Sequence, residues 1–238
     1  MTTDRRIGPR IEVVGLDADD TLWHSEDGFH RVEQRFVELV TEHAPAHTDV
    51  AGHLTVVERR NMVLYGYGAK AFTLSMIEAA IELTGGTVPA GTLQSLINEG
   101  RALLDRPVEL LDGVHETIGA LRAAGYRLVV ITKGDLLHQH QKVAASGLDE
   151  LLHAVEVVNE KDERTYSGVL RRVGVEADRF AMVGNSVKSD VLPVLGIGSR
   201  AAHVPYHLLW SAEHVEHDID IDVLSSIRDV PGWLDALA

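Results

Sequence analysis

The sequence predicts an α/β fold, a three-layer doubly wound parallel sheet that carries an inserted bundle of helices. Three observations lead there. Short apolar runs rich in β-branched residues, such as Ile11–Leu16 and the RLVVIT segment at Arg127–Thr132, have the composition of strands buried on both faces. Helical periodicities separate the later runs, the alternation that a parallel sheet covered on both faces requires. Between the first run and the others stand four helical patterns with no strand among them, which marks an insertion.

The first strand ends abruptly in Asp17, Asp19, Asp20 and Thr21. From Glu26 to about His43, Phe29, Val32, Phe36, Leu39 and Val40 recur at helical spacing, and Pro45 helps to end that helix. A second helix follows Asp49, with Leu54, Val57 and Met62, and stops near Gly66. The third spans Ala69 to Leu83, closed by Gly85-Gly86. The fourth opens with Pro89, carries Leu93, Leu96, Ile97, Leu103 and Leu104, and ends before Pro107. The expected division is therefore a discontinuous core, residues 1–21 and 110–238, interrupted by a helical insertion at 22–109.

Alternation resumes after Pro107. Asp112-Gly113 is a turn, Val114 to Ala124 a helix capped by Gly125, and Arg127 to Thr132 a strand. A helix from about Asp135 to Ser146, a strand near Ala154 to Val158, a helix near Tyr166 to Val173 and the strand Phe180 to Val183 follow. A short strand is expected at Ser199 to Val204. Beyond Trp210 the acidic stretch Glu213 to Asp222 has no readable period, and a last helical turn lies around Trp233.

A chain of 238 residues, 45% hydrophobic and 24% charged, can bury a sizeable core. Its formal net charge of -14 opposes a polyanion, so nucleic acid is excluded as a partner bound through a broad basic face. The absence of cysteine removes disulfides, thiolate metal sites and cysteine nucleophiles, and it suits a cytoplasmic protein. MTTDRRIGPR at the start lacks the apolar segment of a signal peptide, and no apolar run approaches membrane-spanning length. A small phosphorylated substrate is the expected partner, with no membrane and with a homodimer left open.

Three carboxylates within four residues at the end of a buried strand repel one another and lose solvation, which demands a compensating cation or a chemical use. The later strands also deliver polar groups at their carboxyl ends: Thr132, Lys133 and Gly134 after the second, Lys161 downstream of the third, and Gly184, Asn185, Ser186 and Asp190 after the fourth. In a parallel sheet those ends converge on one crevice.

In order and content these residues resemble the haloacid dehalogenase-like superfamily, specifically its phosphatases. The family's first motif, Asp-x-Asp-x-Thr, matches Asp17, Asp19 and Thr21; the second, a strand ending in Ser or Thr, matches Thr132; the third, a lysine, matches Lys161; and the fourth, an acidic pair, matches Gly184, Asn185 and Asp190. Two departures stand out. Position 185 is Asn where the family usually has Asp, and Lys161 is followed by Asp162 where Pro is common.

The resemblance implies an aspartyl-phosphate mechanism with Asp17 as nucleophile and Asp19 as general acid and base. Thr132 and Lys161 would bind and neutralise the phosphoryl group. Lys133 stands beside them as a substrate-binding candidate, although its surroundings, like those of Asp135 and Lys188, favour an ordinary surface role. Mg²⁺ is the implied cofactor, held by Asp17, the main-chain carbonyl of Asp19, Asn185 and Asp190, with the inner-sphere place left open between the last two, an all-oxygen set with room for water. The helical insertion resembles the family's cap, which makes Tyr65, Tyr67 and Lys70 specificity candidates.

Gly66-Tyr67-Gly68 lacks the third glycine of a dinucleotide loop and reads as a break between helices. His214 and His217 have metal-compatible spacing but no further ligand, so a surface pair is expected. The segment His203 to Trp210 has no assigned role. Two other functions compete: a 2-haloacid dehalogenase, against which Asp19 argues because those relatives lack the second aspartate, and a binding protein with a vestigial site, which Asn185 alone encourages.

Overall fold

The structure, a computed structural model, describes residues 11–237. The opening MTTDRRIGPR segment, expected to lack an apolar leader, lies outside the described residues. Two compact units divide the described residues: one takes in residues 11–24, Val108–Thr132 and residues 140–237; the other comprises Ser25–Pro107 and Lys133–Gln139. Among the described residues no helix is long and apolar enough to cross a membrane.

The elements are β1 (Val13–Leu16), α1 (Glu26–Thr41), α2 (Val50–Tyr65), α3 (Ala69–Leu83), α4 (Ala90–Leu104), α5 (Val114–Ala123), β2 (Arg127–Lys133), α6 (Leu136–Ser146), β3 (Ala154–Val158), α7 (Glu163–Val173), β4 (Phe180–Gly184), α8 (Leu192–Gly196), β5 (Arg200–His203), β6 (Asp222–Val223) and α9 (Val230–Ala236). The sheet runs β3-β2-β1-β4-β5-β6, with β1 parallel to both β2 and β4. The order reverses direction at β1, which leaves a crevice beyond its carboxyl end.

Alternate residues of the central strands feed two cores. Val14, Leu16, Leu128, Val130, Ala181 and Val183 face one side, where Ile118 and Leu121 of α5 and Val230 and Leu234 of α9 cover them. Val13, Val129, Ile131, Phe180 and Met182 face the other, against Tyr166, Val169 and Leu170 of α7 and Val194 of α8. This is the three-layer α/β arrangement the sequence predicts. Gly15 sits where a Cβ would strike the Phe180 ring and the Met182 sulfur, so the close packing of β1 on β4 requires glycine there.

The chain leaves this unit at His24 and re-enters it at Val108. At that neck the two passing segments pair, the His24 N–H donating to the Glu109 carbonyl at 3.0 Å and the Leu111 N–H to the Leu22 carbonyl at 2.9 Å.

The helical unit has its own core, built from Phe36, Leu54, Val57, Phe72, Met76 and Leu96. Val32, Phe36 and Val40 are four residues apart and form the buried stripe of α1. Asp49 caps α2 by accepting the Gly52 N–H, and Gly66, at φ 72°, ends the helix in a conformation that suits glycine.

The acidic stretch that sequence periodicity leaves unread runs at Asp222 into the short edge strand β6, which pairs with β5; Trp233 Nε1 donates to Asp222 Oδ2 at 2.8 Å and ties it to α9. Between β4 and α8, residues Val187–Val191 form a wide π-helical turn.

Candidate active site

Leu16 pairs with Val130 of β2 and Val183 of β4. Asp17 therefore leaves β1 at the level where β2 runs on to Thr132 and β4 to Gly184, and its N–H still donates to the Val183 carbonyl at 2.9 Å. The chain then folds into a tight loop in which Ala18 C=O accepts from Thr21, Leu22 and Trp23, with Asp20 at φ 63°. A left-handed aspartate costs about 1 kcal/mol, and such strain gathers where a loop must aim side chains.

Lys161 is the centre of the site. Its Nζ donates to Asp17 Oδ1 at 2.5 Å and to Asp190 Oδ1 at 2.6 Å, and all three side chains are buried. Thr21 Oγ1 donates to Asp17 Oδ2 at 3.1 Å and lies 3.5 Å from Asn185 Oδ1. Asp190 is held on its far side by the Ser186 N–H, 3.0 Å from Oδ2. Asp162 has a local reason to stand after the lysine: it caps α7, accepting the Thr165 N–H at 2.7 Å, and so fixes where the chain turns away from Lys161.

Burial pushes the Asp17 carboxyl up to about 7, against the pull of Lys161 and with help from the Asp190 and Asp19 charges. Burial alone would lower Lys161, yet the Asp17 and Asp190 carboxylates outweigh it and hold the ammonium above the usual lysine range. Two carboxylates thus share one cation, an excess of negative charge that a divalent ion would satisfy. Among the described residues no three His, Cys, Asp or Glu side chains cluster as a metal cage. An ion here would take Asp17, Asp190, the Asn185 amide oxygen and the Asp19 carbonyl, with water for the rest, a set that fits Mg²⁺.

Asp19 is placed by groups that carry no motif. Lys142 on α6 donates to its Oδ1 at 2.5 Å, and the Trp23 indole N–H donates to the same oxygen at 2.7 Å. The Trp23 contact spans four residues and had a faint sequence signal; Lys142, 123 residues away, had none. Thr132 is buried at the carboxyl end of β2, the neighbour of β1. Lys133 falls in the helical unit, its Nζ 4.6 Å from the Tyr67 ring centroid. There Lys70 pairs with Asp135 at 2.9 Å and the Tyr65 hydroxyl donates to Glu78 at 2.7 Å. His214 and His217 are both exposed.

The arrangement combines a buried, ammonium-paired carboxylate with a second carboxylate two residues on, which together can attack an electrophile and move a proton. Comparison with known proteins points the same way. A family model described as haloacid dehalogenase-like hydrolase matches residues 11–195. The chain is 34% identical over 121 residues to a glyceraldehyde 3-phosphate phosphatase of Methanothermobacter thermautotrophicus, a match covering 48% of this chain. It spans 54%, about half, of that relative's length. Over 239 residues it is 22% identical to the enzyme of the same name from Pyrococcus furiosus, covering 96% of this chain and 93% of that one. Among solved structures, a haloacid dehalogenase-like family hydrolase from Xanthomonas campestris superposes with a TM-score of 0.85 at 43% identity, covering 100% of this chain and 94% of that one.

Proposed function

Because this chain belongs to the haloacid dehalogenase-like hydrolases, we propose that it is a Mg²⁺-dependent phosphatase of a small phosphorylated metabolite, acting in the cytoplasm through an aspartyl-phosphate on Asp17. The observation that carries the reading is the Lys161 ammonium, within 2.6 Å of both Asp17 and Asp190 and buried with them. A lysine so placed offsets the charge of an attacking carboxylate and of the phosphoryl group arriving beside it.

In the first step an Asp17 oxygen forms a bond to phosphorus as the ester oxygen departs, and Asp19 gives that oxygen its proton. In the second, Asp19 takes a proton from water; the resulting hydroxide attacks phosphorus, the bond to Asp17 breaks, and inorganic phosphate leaves. Thr132 donates a hydrogen bond to a phosphoryl oxygen, and Lys133 is a second substrate-binding candidate. Asp17, Asp190, Asn185 and the Asp19 carbonyl would hold Mg²⁺, which when bound would supply positive charge to offset that of the phosphoryl group. The helical unit is assigned the substrate-selecting part, with Tyr65, Tyr67 and Lys70 as its candidates.

The relatives named for glyceraldehyde 3-phosphate make a triose phosphate the first substrate to test, alongside a generic aryl phosphate. Purified protein is expected to release phosphate with Mg²⁺, to stop when EDTA removes it, and to lose turnover in Asp17→Asn. Metal-independent halide release from 2-chloropropionate would make it a dehalogenase instead, and silence over a broad phosphate panel would make it a binding protein.

A further inference from the structure

The segment after β5, unassigned by any sequence motif, straps the turn that carries Asp190. The Val204 N–H donates to the Gly184 carbonyl at 2.9 Å, and His203 Nε2 lies 3.0 Å from the Asn185 carbonyl. Lys188 Nζ donates to the Ala212 carbonyl at 2.7 Å. At its far end, Glu213 Oε2 accepts from both the Ser186 and Ser189 hydroxyls, each at 2.5 Å. Both serines are buried.

Those two bonds lead directly to Asp190. With its O–H donating to Glu213, the Ser186 oxygen accepts the Ser189 N–H at 3.0 Å. The Ser186 N–H donates to Asp190 Oδ2 at 3.0 Å, while the Asp190 N–H donates back to the Ser186 carbonyl at 2.8 Å. The turn between them is π-helical, a wide form that occurs mostly as single turns at functional sites. A single carboxylate oxygen from another part of the chain thus accepts from both buried hydroxyls of the turn, including the Ser186 hydroxyl that accepts the Ser189 N–H.

We propose that Glu213 is a positioning residue for Asp190: by gripping Ser186 and Ser189 it holds the 186–190 turn in the shape that presents the Asp190 carboxylate beside Asp17. The inference rests on the reading of Asp190 as a Mg²⁺ ligand. Glu213 does not itself touch the reacting atoms.

The test uses the full chain, wild type against Glu213→Ala and Glu213→Gln, with two readouts that need no substrate. Mg²⁺ binding is followed by titration calorimetry, and amide hydrogen exchange at Ser186 and Ser189 is followed in the EDTA-treated protein. Outer partners of metal ligands are worth about 10- to 100-fold in affinity, so Glu213→Ala is expected to weaken Mg²⁺ binding at least about tenfold and to speed exchange at both serines. Glu213→Gln, which keeps a carbonyl acceptor, is expected to recover most of both. If Glu213→Ala does not fold, Ser189→Ala, which deletes one of the two hydroxyl donors, is expected to weaken Mg²⁺ binding by up to about tenfold. Mg²⁺ affinity and serine exchange unchanged in the folded variants, even with a lowered melting temperature, overturn the proposal and leave Glu213 as a tether for its own loop. A wild type that binds Mg²⁺ but hydrolyses no phosphate ester removes the phosphatase reading and leaves this one standing. A wild type that binds no Mg²⁺ overturns both.

Discussion

Lys142 Nζ lies 2.5 Å from Asp19 Oδ1, and the Trp23 indole closes on the same oxygen from a second direction. The carboxylate proposed to exchange protons with the leaving group and with water is thereby fixed in one rotamer. A hydrogen bond to a charged group is worth about 1.5–3 kcal/mol, and each 1.36 kcal/mol of barrier is about tenfold in rate. Lys142→Met is therefore expected to lower kcat about tenfold or more with little change in KM, and Lys142→Arg to restore part of it. Steady-state kinetics on an aryl phosphate decides; an unchanged kcat in Lys142→Met would reduce the contact to a peripheral ion pair.

Gly184 ends β4 with its bare Cα against the Asp190 carboxyl group, and a Cβ placed there would overlap the Asp190 carboxyl carbon and Oδ2. Neither side can give way without moving Asp190. Gly184→Ala is expected to cost about 1–3 kcal/mol of stability, the usual range for overpacking, and to raise the Mg²⁺ concentration needed for half activation. Gly119 on α5, where an added Cβ meets nothing within 4 Å, is the control: Gly119→Ala should stabilise by about 0.5–1 kcal/mol. Urea unfolding and Mg²⁺ titrations check both.

Asp17 makes the metal-free protein sensitive to pH. With its carboxyl raised from 3.8 to about 7 by burial, the folded state favours the protonated form. The stability contributed is fully present below pH 3.8 and is lost as pH rises through about 7. At 1.36 kcal/mol per unit the shift corresponds to about 4 kcal/mol at most. The raised Lys161 adds nothing within this window, because it stays charged until well above it. In EDTA, wild-type stability should therefore fall between pH 4 and 8 relative to Asp17→Asn, and Mg²⁺ should reverse the fall. Parallel denaturation curves for the two proteins across that range would contradict the raised carboxyl.

The sheet was legible because its strands announce themselves: Val13–Leu16 and Arg127–Lys133 are apolar on both faces and bounded by polar ends. Asp17, Lys161 and Asp190 were legible as a set only because four motifs follow in order; the sequence separation of 144 residues between Asp17 and Lys161 carries no pairing signal of its own. The supports were not legible. Lys142 reads as one more charged residue on the outer face of a helix, and Glu213 opens an acidic stretch without period. Their roles come from tertiary closeness, which spacing along the chain does not encode.

Asn185 is the chain's main departure from its family, and it gives the sharpest test of the metal assignment. Its amide oxygen lies 3.5 Å from Thr21 Oγ1, the hydroxyl that also donates to Asp17. Asn185→Asp keeps that oxygen and adds a charge to a site where one lysine already faces two carboxylates. Without metal the added repulsion has no partner, so the variant should unfold at lower denaturant than wild type. With Mg²⁺ the same charge becomes attraction, and affinity should tighten by about tenfold, as ligand charge generally tunes hard-cation sites. Because a ligand that binds only the folded state adds RT ln(1 + [L]/Kd) of stability, Mg²⁺ should raise the melting temperature more in Asn185→Asp than in wild type, and at high Mg²⁺ the two curves should converge or cross. A variant that loses stability without metal yet gains no more from Mg²⁺ than wild type would place Asn185 outside the ion's reach and leave its binding to Asp17 and Asp190.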